Sequence, residues 1–186
     1  MDEHVITIVA TDICDSTKLA ERLGAKRFSN VLENYYKEMT DIVFDHQGTL
    51  NKYIGDGLMA VFGMPHQPSN AAERAVKAGI EMMNKLEYLN QMIDENIQIG
   101  MGINTGPAMA GYVGTQEYIE FSVIGYPVNI AWGLESLARP NRIFIGHPTY
   151  QAVTGLFNIK SLGNVEIKKQ IGPIQAYEVL RSDNPE

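Results

Sequence analysis

Cysteine is almost absent from this sequence of 186 residues, which contains only Cys14. A single cysteine excludes a disulfide within the chain and any metal site built from several cysteines. The sequence also lacks a run near the roughly 18 apolar residues of a membrane-spanning helix. Residues 1–4 lack the basic and apolar segments of a signal peptide. We therefore expect a cytoplasmic chain, either by itself or as the cytoplasmic domain of a larger protein.

Basic residues are too few to balance the acidic ones. The chain has 15 Lys and Arg against 22 Asp and Glu, which gives a formal net charge of -7. Because proteins that bind nucleic acid normally present a basic face to the phosphates, this balance predicts no nucleic acid partner. No repeat, low-complexity tract or linker interrupts the sequence. We expect one domain over residues 1–180 and a frayed polar tail at residues 181–186.

The pattern of apolar residues predicts alternating strands and helices. A β-branched run predicts a buried strand at residues 5–10 that ends at Thr11 and Asp12. Amphipathic helices are predicted after Phe28 and after Ser69. The remaining predicted elements are strands at 49–53, 58–62, 97–105, 108–113, 118–123, 142–145 and 176–180, and a short helix at 128–137. This order predicts an α+β fold, a ferredoxin-like βαββαβ core with extra C-terminal strands and helices packed on one face of the sheet.

Two aspartates stand where divalent cations can bind. Asp12 ends the first predicted strand just before a helix start, whose free N–H groups suit a triphosphate. Asp56 lies in a Gly-Asp-Gly turn between two predicted strands. Each aspartate has an ordinary alternative role, which is helix capping for Asp12 and turn geometry for Asp56. If the first strand and the hairpin are neighbours, the two carboxylates can share a pair of Mg²⁺ ions.

Four segments, in this order, resemble the class III adenylyl and guanylyl cyclases. They are TDICDST at 11–17, NKYIGDGLMAVFG at 51–63, GINTG at 102–106 and VIGYPVNIA at 123–131. The resemblance extends over roughly residues 6–180. It implies an adenylate cyclase that converts ATP to 3′,5′-cyclic AMP and pyrophosphate as a homodimer, with two Mg²⁺ or Mn²⁺ ions per site. An attached sensor domain would control such a dimer through the orientation of its subunits.

The resemblance also implies a role for individual residues. One subunit supplies the metal ligands, which are the carboxylates of Asp12 and Asp56 and the carbonyl of Ile13. The other subunit supplies Lys52 and Ser122 for the adenine and Asn129 for the ribose. Thr17 at the helix start and Lys168 would bind phosphates, with Lys169 placed as well as Lys168.

The choice of nucleotide depends on positions 52 and 122. The resemblance implies ATP, because GTP-specific relatives carry Glu and Cys there and this chain carries Lys52 and Ser122. ATP-specific relatives usually have Asp or Thr at the second position. A cyclase for another nucleotide therefore stays open as an alternative.

Position 133 departs from the family pattern. Relatives have an arginine four residues after the asparagine, whereas this chain has Gly133. An arginine that acts on transferring phosphoryl oxygens contributes about 10³- to 10⁵-fold in rate. The alternative is a non-catalytic nucleotide-binding or dimerisation domain. Arg139 and Arg142 lie downstream, and either could take the place of the missing arginine in space, but the simpler expectation is that both are surface residues.

Overall fold

The computed structural model describes residues 1–65, 69–168 and 171–181. Among these residues no helix is both long and apolar enough to cross a membrane. The strands are β1 Asp2–Ile13, β2 Thr49–Ile54, β3 Gly57–Phe62, β4 Ile99–Gly114, β5 Ile119–Ile124, β6 Ile143–Gly146, β7 Ile159–Glu166 and β8 Pro173–Val179. The helices are α1 Ser16–Leu23, α2 Ala25–Asp45, α3 Ala71–Ile93, α4 Tyr126–Leu137 and α5 His147–Val153.

The strands form one sheet in the order β2-β3-β1-β4-β6-β8-β7, and β5 pairs with the far half of β4. The first four strands, ordered β2-β3-β1-β4 with α2 and α3 between them in sequence, make the predicted ferredoxin-like core. The later strands extend the sheet beyond β4, as predicted. The α+β fold class is therefore confirmed.

Alternate residues of β1 face opposite sides of the sheet. Val9 and Ile13 point into the main core, where α2 and α3 contribute residues such as Tyr35 and Met82. This confirms the prediction of helices on one face for the two long helices. Helix α4 adds a layer on the other face, where Ala131 joins a second cluster with β1 residues. That helix lies so close to the sheet that a Cβ at Gly102 would be 1.9 Å from the Ala131 carbonyl oxygen.

The predicted secondary structure needs correction at three places. The strands expected at residues 97–105 and 108–113 are the single strand β4, which continues through Gly106 and Pro107. Pro107 is tolerated because, between Ile103 and Met109, no strand pairs with β4 on the side away from β1. Helix α5 and strand β7 were not predicted. Helix α5 has only seven residues, and most of β7 is exposed and lacks an apolar alternation.

The tail predicted at residues 181–186 is only partly described. Arg181 donates a hydrogen bond from Nη1 to Glu87 Oε1 on α3 at 2.7 Å. Residues 182–186, Lys169 and His66 lie outside the described residues.

Candidate active site

The two aspartates singled out in the sequence lie side by side. Strand β1 pairs with β3 up to Thr11 and Leu58, which places the β2–β3 turn next to the end of β1. The Asp56 carboxyl lies close enough to that of Asp12 to affect its pKa. Burial and the adjacent Asp56 carboxyl raise the pKa of Asp12 above its usual value, and the Arg139 guanidinium opposes that rise.

One oxygen of this pair has no partner. Asp56 Oδ2 is buried and accepts no hydrogen bond from any described residue. A buried carboxylate oxygen without a partner is costly, and a bound cation removes that cost. No group of three or more His, Cys, Asp or Glu side chains suited to a metal forms within the described ranges. The residues therefore fit a cation held by two carboxylates and completed by backbone or ligand oxygens.

The two glycines of the turn have different roles. Gly55 has a φ of 63°, a left-handed conformation that glycine adopts without strain. Gly57 gives room to the other carboxylate, since a Cβ there would lie 3.1 Å from Asp12 Oδ1 and 3.1 Å from the Trp132 ring. The Gly-Asp-Gly motif thus shapes the turn and also admits a second carboxylate beside it.

Two tyrosines that the sequence did not identify hold this turn on α2. The Tyr36 hydroxyl donates a hydrogen bond to the Gly55 carbonyl oxygen. Its ring stacks on that of Tyr53 with 4.0 Å between centroids, and the Tyr53 hydroxyl lies 2.8 Å from Thr40 Oγ1. Burial and the nearby Asp56 carboxylate raise the pKa of Tyr36 to about 12, so its hydroxyl remains a donor at neutral pH. The helical spacing of Tyr35 and Tyr36 indicated only core packing.

Arg139 reaches the same site, which corrects the expectation that it is a surface residue. Its Nη2 lies 2.6 Å from Asp12 Oδ2, and its Nε donates to Glu135 Oε1 at 2.8 Å. Arg142 does not reach the site, because both carboxylate oxygens of Glu178 accept hydrogen bonds from it, at 2.7 and 2.6 Å. Proximity to Asp12 depends on the packing of α4 against the sheet, and no local sequence signal reveals it.

The start of α1 follows Asp12 directly. Its N-cap residue Asp15 has a φ of 51° and makes no capping hydrogen bond with its side chain, which instead accepts one from Lys18 at 3.0 Å. Thr17 lies exposed in the first turn. The ordinary capping role is therefore not observed at α1, and the first N–H groups of this helix have no side-chain cap.

Lys52 lies on β2 and Ser122 on β5, and a hydrogen bond from Asn51 Nδ2 to the Phe121 carbonyl oxygen at 3.0 Å joins the two strands. Lys52 Nζ donates to Glu120 Oε1 at 3.0 Å, and the Tyr118 hydroxyl donates to Glu120 Oε2 at 2.9 Å. Ser122 is buried and stands two residues from Glu120, on the same side of β5. Glu120 thus orients the Lys52 ammonium, a partner that the sequence did not indicate.

The other predicted substrate residues are exposed. Asn129 lies on α4 with its side chain accessible to solvent, so it needs no buried hydrogen-bond partner. Lys168 is exposed just after β7. Within the described part of the chain, no hydrogen bond or ion pair joins Lys52, Ser122 or Asn129 to the aspartate pair. The described contacts of one chain therefore do not connect these three residues to the aspartate pair.

The sequence model of the family "Adenylate and Guanylate cyclase catalytic domain" matches residues 2–180. The chain belongs to this family. It is 32% identical over 182 residues to a terminal-differentiation-specific adenylate cyclase of Dictyostelium discoideum, a match that covers 94% of this chain and 8% of that protein. The chain thus spans less than a tenth of that relative.

Two solved cyclases have the same fold. The adenylyl cyclase CyaB of P. aeruginosa is 31% identical, with a TM-score of 0.92 over 98% of this chain and 97% of that one. The guanylate cyclase domain of RhGC from Catenaria anguillulae, in complex with GTP, is 28% identical, with a TM-score of 0.90 over 97% of this chain and 98% of that one. The cyclase neighbours therefore include both adenylyl and guanylyl enzymes, and this chain is a nucleotidyl cyclase catalytic domain by family.

The family arginine is missing at position 133, and the side chain of Ile167 occupies the space beside that position. Gly133 is buried in α4, and a Cβ there would lie 2.7 Å from Ile167 Cβ. Ile167 follows β7 and covers this part of the helix. A larger side chain at position 133 would need the segment after β7 to move.

Proposed function

We propose that this domain converts ATP to 3′,5′-cyclic AMP and pyrophosphate as a homodimer, with two Mg²⁺ or Mn²⁺ ions in each site. The observation that carries the proposal is the adjacent pair Asp12 and Asp56, with a buried Asp56 Oδ2 that lacks a partner. Family membership supplies the reaction class. Two carboxylates at one edge of the sheet are the ligands that hard divalent cations prefer.

The metal ligands in this proposal are the Asp12 and Asp56 carboxylates and the Ile13 carbonyl. Bound ions would lower the pKa of the ribose 3′ hydroxyl and neutralise charge on the leaving pyrophosphate. The uncapped start of α1, with Thr17, binds phosphate oxygens through its free N–H groups. Lys168 adds a positive charge for the terminal phosphates.

In the reaction, the ribose 3′ oxygen attacks the α-phosphorus. A new bond forms between that oxygen and phosphorus, the bond from phosphorus to the pyrophosphate oxygen breaks, and the proton of the 3′ hydroxyl passes to water. Asn129 holds the ribose so that its 3′ oxygen is in line with the leaving group. Most of the acceleration then comes from positioning and electrostatics rather than from covalent chemistry by the protein.

ATP is favoured as the substrate by Lys52 and Ser122. The Lys52 ammonium can only donate hydrogen bonds, which suits a ring nitrogen of adenine, and the Ser122 hydroxyl can accept one from the exocyclic amine. The hydrogen bond to Glu120 at 3.0 Å limits the positions that Lys52 can take. A serine is smaller than the usual Asp or Thr, so competition among nucleotides with different bases is the direct test of this preference.

The homodimer is supported by exposed apolar side chains on and beside the strand that carries Ser122. Large apolar side chains are exposed on β4, β5 and the start of α4, namely Tyr112, Val113, Tyr118, Ile119, Ile124 and Tyr126. They are found on both faces of the β4–β5 pair, because Tyr112 pairs with Phe121 and Val113 pairs with Glu120, and successive side chains of a strand point to opposite sides. We name these six residues the β4–β5 surface.

Turnover tests the reaction and the substrate together. Purified protein is incubated with Mn²⁺ and ATP, GTP, CTP or UTP, first singly and then in competition, and the products are identified by mass spectrometry. We expect cyclic AMP as the main product and none from Asp56→Asn, while Asp45→Asn, an exposed aspartate of α2, keeps wild-type turnover. Another cyclic nucleotide as the main product would overturn the assignment of ATP, and full activity of Asp56→Asn would overturn the metal assignment.

A mixing experiment tests the composite site. Asp56→Asn and Asn129→Ala chains are each expected to be inactive alone. When they are mixed and allowed to exchange subunits, half of the dimers are heterodimers with one intact site each, so about a quarter of wild-type activity should return. Confirmed heterodimers without any recovered activity would show that the site lies within one subunit.

A second candidate function is favoured by one observation. The chain has Gly133 in place of the family arginine. Because Ile167 fills the space beside it, an arginine could not be added there without rearrangement. A domain of this kind can bind nucleotide and dimerise without turnover. Tight ATP binding with no cyclic product from any of the four nucleotides, in Mn²⁺ or Mg²⁺, would establish this candidate.

A further inference from the structure

Arg139 is held between two carboxylates at the edge of the candidate metal site. Its Nη2 lies 2.6 Å from Asp12 Oδ2 and 2.8 Å from Glu135 Oε1, and its Nε also donates to that Glu135 oxygen. Only 2% of the Glu135 side chain is exposed, so this anchor is fixed within the protein. The Asp12 side chain is 27% exposed, so the buried Glu135 carboxylate is the partner that fixes the guanidinium.

The sheet leaves room for the Arg139 side chain at a glycine. Gly100 on β4 pairs with Asp12 on β1, so the two residues are direct neighbours across the strands. A Cβ at Gly100 would lie 2.7 Å from Arg139 Cγ and 2.8 Å from Glu135 Oε1. The arginine stem and its anchor therefore occupy the space that a side chain at position 100 would fill.

The two oxygens of the Asp12 carboxylate have different neighbours. Oδ2 accepts the hydrogen bond from Arg139, whereas Oδ1 lies on the side of the hairpin turn, 3.1 Å from the Cβ position of Gly57. Asp56 lies in that turn. Asp12 Oδ1 is therefore the oxygen of this carboxylate that faces the turn carrying Asp56.

We propose that Arg139 is a positioning residue, which fixes the Asp12 carboxylate so that Oδ1 is presented with Asp56 to a divalent cation, and that Glu135 and Gly100 hold Arg139 in place. This inference rests on the proposed metal site. Arg139 does not replace the family arginine at position 133, because its guanidinium is engaged by two carboxylates of its own chain. Residues that orient a metal ligand commonly contribute about 10- to 100-fold to metal affinity.

The proposal makes a prediction opposite to simple charge repulsion. A guanidinium that acted only as a nearby positive charge would weaken cation binding, so its removal would tighten binding. A guanidinium that orients Asp12 strengthens binding, so its removal weakens it. The direction of the change in Mn²⁺ affinity therefore distinguishes the two roles.

The experiment is a titration of the full chain with Mn²⁺ alone, followed by the electron paramagnetic resonance signal of the free ion. Arg139→Met is expected to raise the Kd by about tenfold or more, and Arg139→Lys, which keeps a donor and the charge, to recover part of that loss. Glu135→Gln should raise the Kd by a smaller factor, because it weakens the anchor. The matched control is Arg142→Met, which removes an arginine paired with Glu178 away from the site and should leave the Kd unchanged.

Circular dichroism and thermal melting show whether each variant is folded. If Arg139→Met does not fold, Arg139→Lys and Glu135→Gln carry the test. An unchanged or lower Kd in the folded variants overturns the positioning role. The proposed function fails separately if Asp12→Asn and wild type give the same titration, because no cation then binds at the aspartate pair.

Discussion

Gly133 shows how one residue of α4 depends on a segment distant in sequence. A Cβ at this position would lie 2.7 Å from Ile167 Cβ and 2.9 Å from Ile167 Cδ1. Glycine in a helix interior usually costs about 1 kcal/mol relative to alanine. Here the close contact with Ile167 accounts for its presence.

Gly133→Ala is expected to lower the free energy of unfolding. Overpacking in a filled interior costs about 1–3 kcal/mol, which exceeds the helix preference gained by alanine. Urea denaturation of the wild type and the variant measures the difference. In an Ile167→Gly background, which removes the contacting side chain, the same substitution should stabilise the protein. Equal destabilisation in both backgrounds would contradict the role of Ile167.

At the scale of elements, Arg74 joins the two long helices of the core. It lies in the first turn of α3, where its Nε donates to Asn70 Oδ1 at 3.0 Å. Its Nη1 donates to the carbonyl oxygens of His46 and Gln47, just after α2, at 2.9 and 3.0 Å. A cation that binds carbonyls at a helix C-terminus satisfies acceptors that the helix itself leaves free. Arg74 thus fixes the end of α2 relative to the start of α3.

Arg74→Met should destabilise the domain by about 2–3 kcal/mol, because two partly buried carbonyl oxygens lose a charged donor. Thermal and urea unfolding both measure the change. Lys77→Met is the control on the same helix, since it removes only the exposed ion pair with Glu73 and should cost at most about 0.5 kcal/mol. Equal losses in the two variants would show that Arg74 is no more than another helix charge.

The ion pair between β6 and β8 predicts a dependence of stability on pH. The hydrogen bonds from Arg142 lower the pKa of Glu178 below its ordinary value. A carboxyl group with a lowered folded pKa contributes stability above its unfolded pKa, and that contribution is lost as the pH falls through the folded value. Unfolding between pH 6 and pH 3 should show this loss, and Glu178→Gln should have a smaller slope below about pH 4.5. Identical slopes in the wild type and the variant would show that Glu178 does not cause the loss of stability at low pH.

At the scale of the whole molecule, the β4–β5 surface is the feature that a single chain leaves without a partner. Tyr112 is 75% exposed, and Tyr118 and Ile119 are 66% and 63% exposed. These residues adjoin Lys52 and Ser122 through the pairing of β5 with β4 and the contact of β2 with β5. A second copy seated there would cover apolar surface and approach the nucleotide-binding group at the same time.

Tyr112→Glu should convert the proposed dimer to a monomer, because it places a charge within an apolar contact. Size-exclusion chromatography with light scattering measures the mass, and cyclic AMP production should fall together with the dimer fraction. Tyr88→Glu, at an exposed tyrosine of α3 on another part of the molecule, should leave both unchanged. A dimeric Tyr112→Glu variant would move the interface elsewhere.

The sequence by itself determined the order of the core elements and the two aspartates. Short apolar runs locate β1 and β3, which are buried on both faces, and helical patterns locate α2 and α3, which bury one stripe against the core. The residues around Asp12 and Asp56 form contiguous motifs, which can be identified without knowledge of their neighbours.

Only the tertiary structure decided which distant residues join these motifs. Arg139 meets Asp12 across 127 positions, and Lys52 meets Glu120 across 68. Such contacts depend on how α4 and β5 pack, which is set by close approaches at glycines such as Gly100 and Gly102 rather than by any local pattern. The length of β4 was also decided there, since the pairing with β1 extends one strand through Pro107 despite its turn-like sequence.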